Sequence, residues 1–184
     1  MVRDTRREVL LFWFNETQPA QWFQKNPAFD DLIRTRFLMS YEMAAGGLCD
    51  SWKDDAKGCL ALCILLDQMP RNMFRDTPRA FATDEKALLV ARHAVARGFD
   101  TLLTPVERTF LYLPYEHSEE ITDQKKSVAL FEAIKNEEPL AYDYALRHYE
   151  VIDKFGRFPH RNKILGREST PEELVYLADP AAGF

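Results

Sequence analysis

Three short, proline-braced stretches hold the residues best equipped for chemistry. In FGRFPHRN, Phe155 to Asn162, a helix has to end at Gly156, and Arg157, His160, Arg161 and Asn162 follow around the turn at Pro159. Phe155 and Phe158 are placed to anchor that turn to apolar surface and so hold its charges against the protein body. Two arginine forks, with Asn162 and backbone N–H groups, can cradle a phosphate or a carboxylate. The same cations can instead be internal partners of Asp67, Glu116, Glu119 and Glu120, in a network costly to disrupt. Arg147 and His148 upstream and Lys163 downstream make this the most cationic neighbourhood of an acidic chain.

The second stretch is LPYEHSEE, Leu113 to Glu120. Pro114 is expected to end one helix, and Ser118 with Glu119 and Glu120 to begin the next, which leaves Glu116 and His117 at the corner. Carboxylates beside a histidine raise its pKa and fix its tautomer, an arrangement shared by general bases, metal ligands and ordinary hydrogen-bonded histidines. Glu116 with Glu120, and His117 with Glu120, have helical spacing usable for a metal, and His148 and His160 could add ligands. No HExxH and no Glu-x-x-His repeated on two helices occurs, so neither a metal nor a cofactor is expected. The third stretch sets Asp67 and Gln68 at the C-terminal end of a helix, just before Pro70, where the helix dipole disfavours a carboxylate. Arg71 is its nearest cation in sequence, and the two form either a helix-end ion pair or the floor of a pocket.

The elements that must position these residues are helices. Asn26-Pro27, Thr77-Pro78, Thr104-Pro105 and Thr170-Pro171 each put a capping side chain before a proline at a first helical position. Thr104 with Glu107 and Thr170 with Glu173 have capping-box spacing. Gly46 with Gly47, Gly98 and Gly156 are the stops. No segment alternates apolar and polar residues long enough for a strand, so the expectation is an all-α chain of about eight helices. From Pro27, a stripe of Phe29, Ile33, Phe37 and Tyr41, widened by Leu32, Met39 and Met43, reads as core. Between Lys57 and Met69 the pattern is apolar nearly all round, which predicts the central, most buried helix. Ser127 to Ile134 and Leu140 to Phe155 carry single stripes (Val128, Leu130, Phe131, Ile134; Tyr144, Leu146, Val151, Ile152, Phe155), as outer helices should.

A length of 184 residues, 46% of them hydrophobic, suits a single domain over 1–184 and is short for two. The net charge of −5, with Lys and Arg scattered among acids, argues against nucleic acid as a partner. The apolar run Cys59 to Leu66 is far below membrane-spanning length, so no membrane partner is expected. VLLFWF is too short for a signal peptide and follows Arg3, Asp4, Arg6, Arg7 and Glu8. Cys49, Cys59 and Cys63 form no paired disulfide pattern, and Cys59 and Cys63 share a helix face as small hydrophobes, which fits a reducing cytoplasm.

The stretches VLLFWF, WFQKNPAFD, LLDQMPRNMFRDTPRAFATD, LYLPYEHSE and FGRFPHRNKILGRESTPEE together resemble a bacterial and fungal family, domain-of-unknown-function family 924, over about Val9 to Tyr176. That resemblance implies an irregular antiparallel helical array similar to the tetratricopeptide-repeat superfamily, although no repeat consensus or 34-residue self-similarity is visible. It implies no activity. It groups Asp67, Gln68, Arg71 and Asn72 in one motif, Glu116, His117 and Glu119 in a second, and Arg157, His160, Arg161 and Asn162 in a third.

Two functional readings stand. In the first, the motifs converge on a pocket for a small anionic molecule, with Asp67, Gln68, Arg71, Glu116, His117, Glu120, Arg157, His160, Arg161 and Asn162 as candidate ligands. His117 or His160 is then the candidate proton carrier of an enzyme. In the second, the chain is a helical scaffold for a peptide, a protein partner or a second copy of itself, and the clusters only lock helices together. No activated serine or cysteine nucleophile, phosphate loop or dinucleotide fingerprint occurs, so no reaction and no catalytic residue is assigned. The apolar run Val9 to Phe14 is expected to pack into the fold or against a second copy.

Overall fold

A computed structural model describes residues 5–179 and 182; Arg3 and Asp4 of the charged N-terminal run lie outside them. Helix α1, Thr5–Leu11, continues through a π turn, Phe12–Glu16, and is followed by α2, Pro19–Phe23, and α3, Pro27–Ala45. Helix α4 is one continuous rod of α-helix at Ala56–Cys63, a π turn at Ile64–Gln68 and α-helix again at Met69–Met73. After it come α5, Asp84–Ala96; α6, Pro105–Glu116; α7, Ile121–Glu132; α8, Pro139–Phe155; α9, Asn162–Leu165; and α10, Pro171–Leu177. The described residues thus form ten helices rather than about eight, with 3-10 turns in several connections and no strand. The surplus is short: α2 and α9 are single turns begun by Pro19 and stopped at Gly166.

Local chemistry set most boundaries where the sequence puts them. Asn26 accepts a hydrogen bond from the Phe29 N–H, and Thr170 and Glu173 cap each other reciprocally. Gly98 and Gly156 stop α5 and α8 at φ of 68° and 69°, left-handed conformations that cost glycine nothing. Three boundaries differ. Thr77-Pro78 opens only a 3-10 turn, Pro78–Phe81. Pro114 does not end its helix but sits inside α6, which runs two residues further. Pro70 does not end α4 either. A proline removes one N–H and crowds the carbonyl four residues back, and the π turn just before it absorbs that misfit.

Helix α4 is buried along almost its whole length and packs against α1, α3, α5 and α6. Each helix from α3 to α7 also packs on the next, and α7 lies along α8 as a helical hairpin. Gly58 is required where α4 crosses the 3-10 turn Asp50–Asp54, because a Cβ there meets the Trp52 carbonyl oxygen at 1.9 Å. Phe29, Ile33, Phe37 and Tyr41 are buried, each worth roughly 1.5–3 kcal/mol. Leu32, Met39 and Met43 do not widen that stripe: they face outward, Met39 at 74% exposure, because α3 has neighbours on one side only. Tyr144 of α8 is likewise exposed rather than part of its stripe. Val9, Phe12 and Trp13 are buried in the chain's own core, where the Trp13 and Phe110 rings meet edge to face at 5.6 Å. The three cysteines are free thiols packed in the core, and burial pushes Cys59 up to about 11. Among the described residues no helix is long and apolar enough to cross a membrane.

Candidate functional site

Pro70 also explains how the polar cluster starts. Having no N–H, it leaves the Leu66 carbonyl without its usual partner, and the Thr83 hydroxyl donates to that oxygen at 2.5 Å. This draws the start of α5 against the π turn and presents Asp84 beside Arg71. Arg71 forks onto Asp84 with both contacts at 2.9 Å, donates to the Asp67 carbonyl at 2.6 Å and lies 3.3 Å from Asp67 Oδ1. The ion pair suggested by sequence therefore exists, but in mid-rod and shared with Asp84.

Asp67 is fully buried, and one of its partners is fifty residues away: His117 Nδ1–H donates to Asp67 Oδ1 at 2.7 Å. Gln68 Nε2 donates to the other carboxylate oxygen. Burial opposes the charge of Asp67, but Arg71 and His117 outweigh it and hold the carboxyl well below the usual range. His117 is pushed down by burial and by the Arg71 cation, against the pull of Asp67, and so stays neutral. With Nδ1 carrying the proton, the lone pair of the ring is on Nε2.

The corner that carries His117 is pinned by Gln124 of α7, which donates to the carbonyls of Glu116 at 2.6 Å and Ser118 at 2.7 Å. The same corner turns Glu116 inward, 2% exposed, with Oε1 3.1 Å from His148 Nδ1 and Oε2 buried without a hydrogen bond. Burial, reinforced by Asp67, pushes the Glu116 carboxyl well above the ordinary range. His148 Nδ1 donates to the Tyr144 carbonyl at 2.8 Å, and burial keeps this ring neutral as well. One donor atom each from Glu116, His117 and His148 lies within 4.8 Å of the other two.

Phe158 is the hinge of the third motif. Its ring lies 5.5 Å from His148, 5.7 Å from His160 and 4.5 Å from the Arg161 guanidinium, which has Phe81 on another side at 4.7 Å. Arg161 donates to the His117 carbonyl at 3.0 Å and reaches Asp84 at 3.7 Å, while its Nε is buried without a hydrogen bond. Burial, then the Arg71 cation, lowers Arg161 to about 10, and burial with the Arg161 cation lowers His160 to about 4.

The structure therefore brings Asp67, Gln68, Arg71, Glu116, His117, His160 and Arg161 into one neighbourhood and leaves three candidates out of it. Arg157 forks onto Glu173 at 2.7 and 2.8 Å, and Asn162 holds Ser169, Glu173 and Arg167. Arg157, Arg161 and Asn162 are thus not one anion cradle, because Arg161 turns to the His117 carbonyl and Asp84 while Arg157 and Asn162 both turn to Glu173. Glu120 is exposed and stands at the N-cap position of α7 without a side-chain capping bond. Its helical spacing to Glu116 and His117 does not exist, since α6 ends at Glu116 and α7 starts at Ile121. Asn72 points away as well, to Asp30 on α3. Sequence reasoning missed Asp84, Gln124 and, as site partners, the acid and base that close the third motif, Glu173 and Arg167; the adjacency of Thr83 to Asp84 at the start of a helix was the available signal for the first. A recess of about 310 Å³ lies elsewhere, lined by Leu62, Leu66, Leu89 and Val90 with Lys53 and Lys86.

These features define an all-helical protein with a buried polar cluster where α4, α5, α6 and α8 meet the turn after α8. The chain belongs to the family described as bacterial protein of unknown function (DUF924), which it matches over residues 9–181. It is similar to a solved structure, a protein of unknown function, ATU0120, from Agrobacterium tumefaciens, at 40% identity and a TM-score of 0.87 over 94% of this chain and 96% of that one. A comparison with curated proteins finds no match.

Proposed function

We propose that this chain binds a small anionic molecule, a phosphate or carboxylate, at the cluster of Arg71, His117, His160 and Arg161. The observation that carries this reading is Arg161. The residue is 7% exposed, and its guanidinium lies against two phenyl rings, leaves Nε without a hydrogen bond and is held near another cation, Arg71. Such a cation is undercompensated, so an added negative charge is favoured there more than at a matched pair. The partial exposure of Arg71, Asp84, His117 and His160 supplies a way in. The array of successive helix pairs supports a likeness to tetratricopeptide repeats, and the three free thiols support a cytoplasmic setting.

One observation favours the scaffold reading for part of the molecule: Arg157 and Arg167 are closed onto Glu173 and Glu119, as internal bracing is. The two readings separate by thermal unfolding with phosphates and small carboxylates. At about ten times its dissociation constant an anion adds roughly 1.4 kcal/mol, a rise of about 3 to 6 °C. Arg161→Ala should abolish the rise, while Arg157→Ala should lower the melting temperature yet keep it. No rise in the wild-type protein across the whole panel overturns the anion reading.

A further inference from the structure

We propose that Glu116, His117 and His148 bind one divalent transition-metal ion, of which Zn²⁺ best suits a carboxylate with two imidazoles. The sequence lacks any linear metal motif, and the set exists only because the α6–α7 corner faces α8. One ligand atom from each of the three lies within 4.8 Å of the other two. Ligands at about 2.1 Å from a tetrahedral ion stand about 3.4 Å apart, so closing the group takes about an ångström of side-chain movement.

Three independent features point to a cation there. First, Glu116 is buried without a cationic partner and its Oε2 makes no hydrogen bond, whereas the nearby Arg71 and Arg161 are engaged by Asp67, Asp84 and the His117 carbonyl. An unpaired buried carboxyl is costly, and a metal ion would offset that cost by accepting the orphaned oxygen. Second, the Asp67 carboxylate takes the Nδ1–H of His117, the carboxylate–histidine arrangement that orients a ligating imidazole and leaves Nε2 as its donor. Third, the Tyr144 carbonyl does the same for His148 through Nδ1.

This inference does not rest on the anion reading, since the ion is measured without any phosphate or carboxylate and the anion is measured in chelator. The full chain, stripped of metal, is titrated with Co²⁺ alone and then with Zn²⁺ in competition. One equivalent of Co²⁺ should bind with visible d–d absorption that Zn²⁺ abolishes, and Zn²⁺ at about a hundred times its dissociation constant should raise the melting temperature by about 5 to 11 °C. Glu116→Gln and His148→Asn should each weaken binding more than about 100-fold, with His93→Gln on the exposed face of α5 as the unchanged control. Should neither of the two ligand variants fold, Asp67→Asn decides: it touches the ion only through His117 and should weaken binding about 10- to 100-fold. No binding by wild-type protein, or undiminished binding in whichever variant folds, overturns the proposal.

Discussion

Two polar regions flank Phe158 and treat their charges differently. Around Arg157 the buried and half-buried charges are matched in pairs: Arg157 forks onto Glu173, Arg167 forks onto Glu119, and Glu173 also takes the Thr170 N–H and Asn162. Around Arg161 the matching is incomplete, with an idle guanidinium nitrogen, an idle carboxyl oxygen on Glu116 and a histidine whose tautomer is set by a buried carboxylate. The first arrangement is what docks a terminal helix. The second carries the cost of desolvation without full repayment, which a protein tolerates where a ligand completes the pairing. Adjacent motifs of the same composition are thus a brace and a candidate site, and composition alone does not separate them.

The contrast can be broken most forcefully at Asp67. Replacing it by Ala removes the buried acid that Arg71 and His117 share, and should cost about 3 to 5 kcal/mol, some 6 to 20 °C in melting temperature. A loss below about 1 kcal/mol in urea denaturation would show the cluster to be far looser than its distances imply. Glu173→Ala should cost less, about 2 kcal/mol, and locally. Hydrogen exchange should speed up by about 30-fold over residues 157–177, leaving the slowest amides of α4 unchanged. Equal acceleration of both would mean that brace and core unfold together.

Acid provides a gentler probe of the same brace. Glu173 is held down to about 2, first by its Arg157 hydrogen bonds, so its folded pKa lies below its unfolded one. The stability it contributes is fully present above the ordinary glutamate pKa and is lost as the pH falls from about 5 towards 2. The brace should therefore fray over that window, seen as rising exchange in α10, and Glu173→Gln should flatten the dependence. The smallest effect is expected at Glu120, exposed and outside both regions: Glu120→Ala should change stability by less than about 0.5 kcal/mol and leave anion and metal binding untouched.

Helix type, most starts and stops, the buried character of the stretch between Lys57 and Met69 and the need of the run Val9 to Phe14 to pack away from water were legible in the sequence because they follow from local rules. A threonine before proline caps, a glycine past the last turn stops, and an all-apolar rod has to go inside. The sequence also pointed to Asp67, Arg71, His117 and Arg161, since charged residues amid apolar runs must find partners. Beyond Arg71 for Asp67, it did not say which ones. The bond from Asp67 to His117 spans fifty positions and that from Arg161 to the His117 carbonyl forty-four, and such pairings are decided by how helices pack. Arg157 and Arg161 look equivalent in FGRFPHRN, yet with one turn of 3-10 helix between them the first closes onto Glu173 and the second reaches the His117 carbonyl and Asp84. Only the tertiary structure decided which charges were satisfied there, because satisfaction depends on distances between groups that the chain itself does not join.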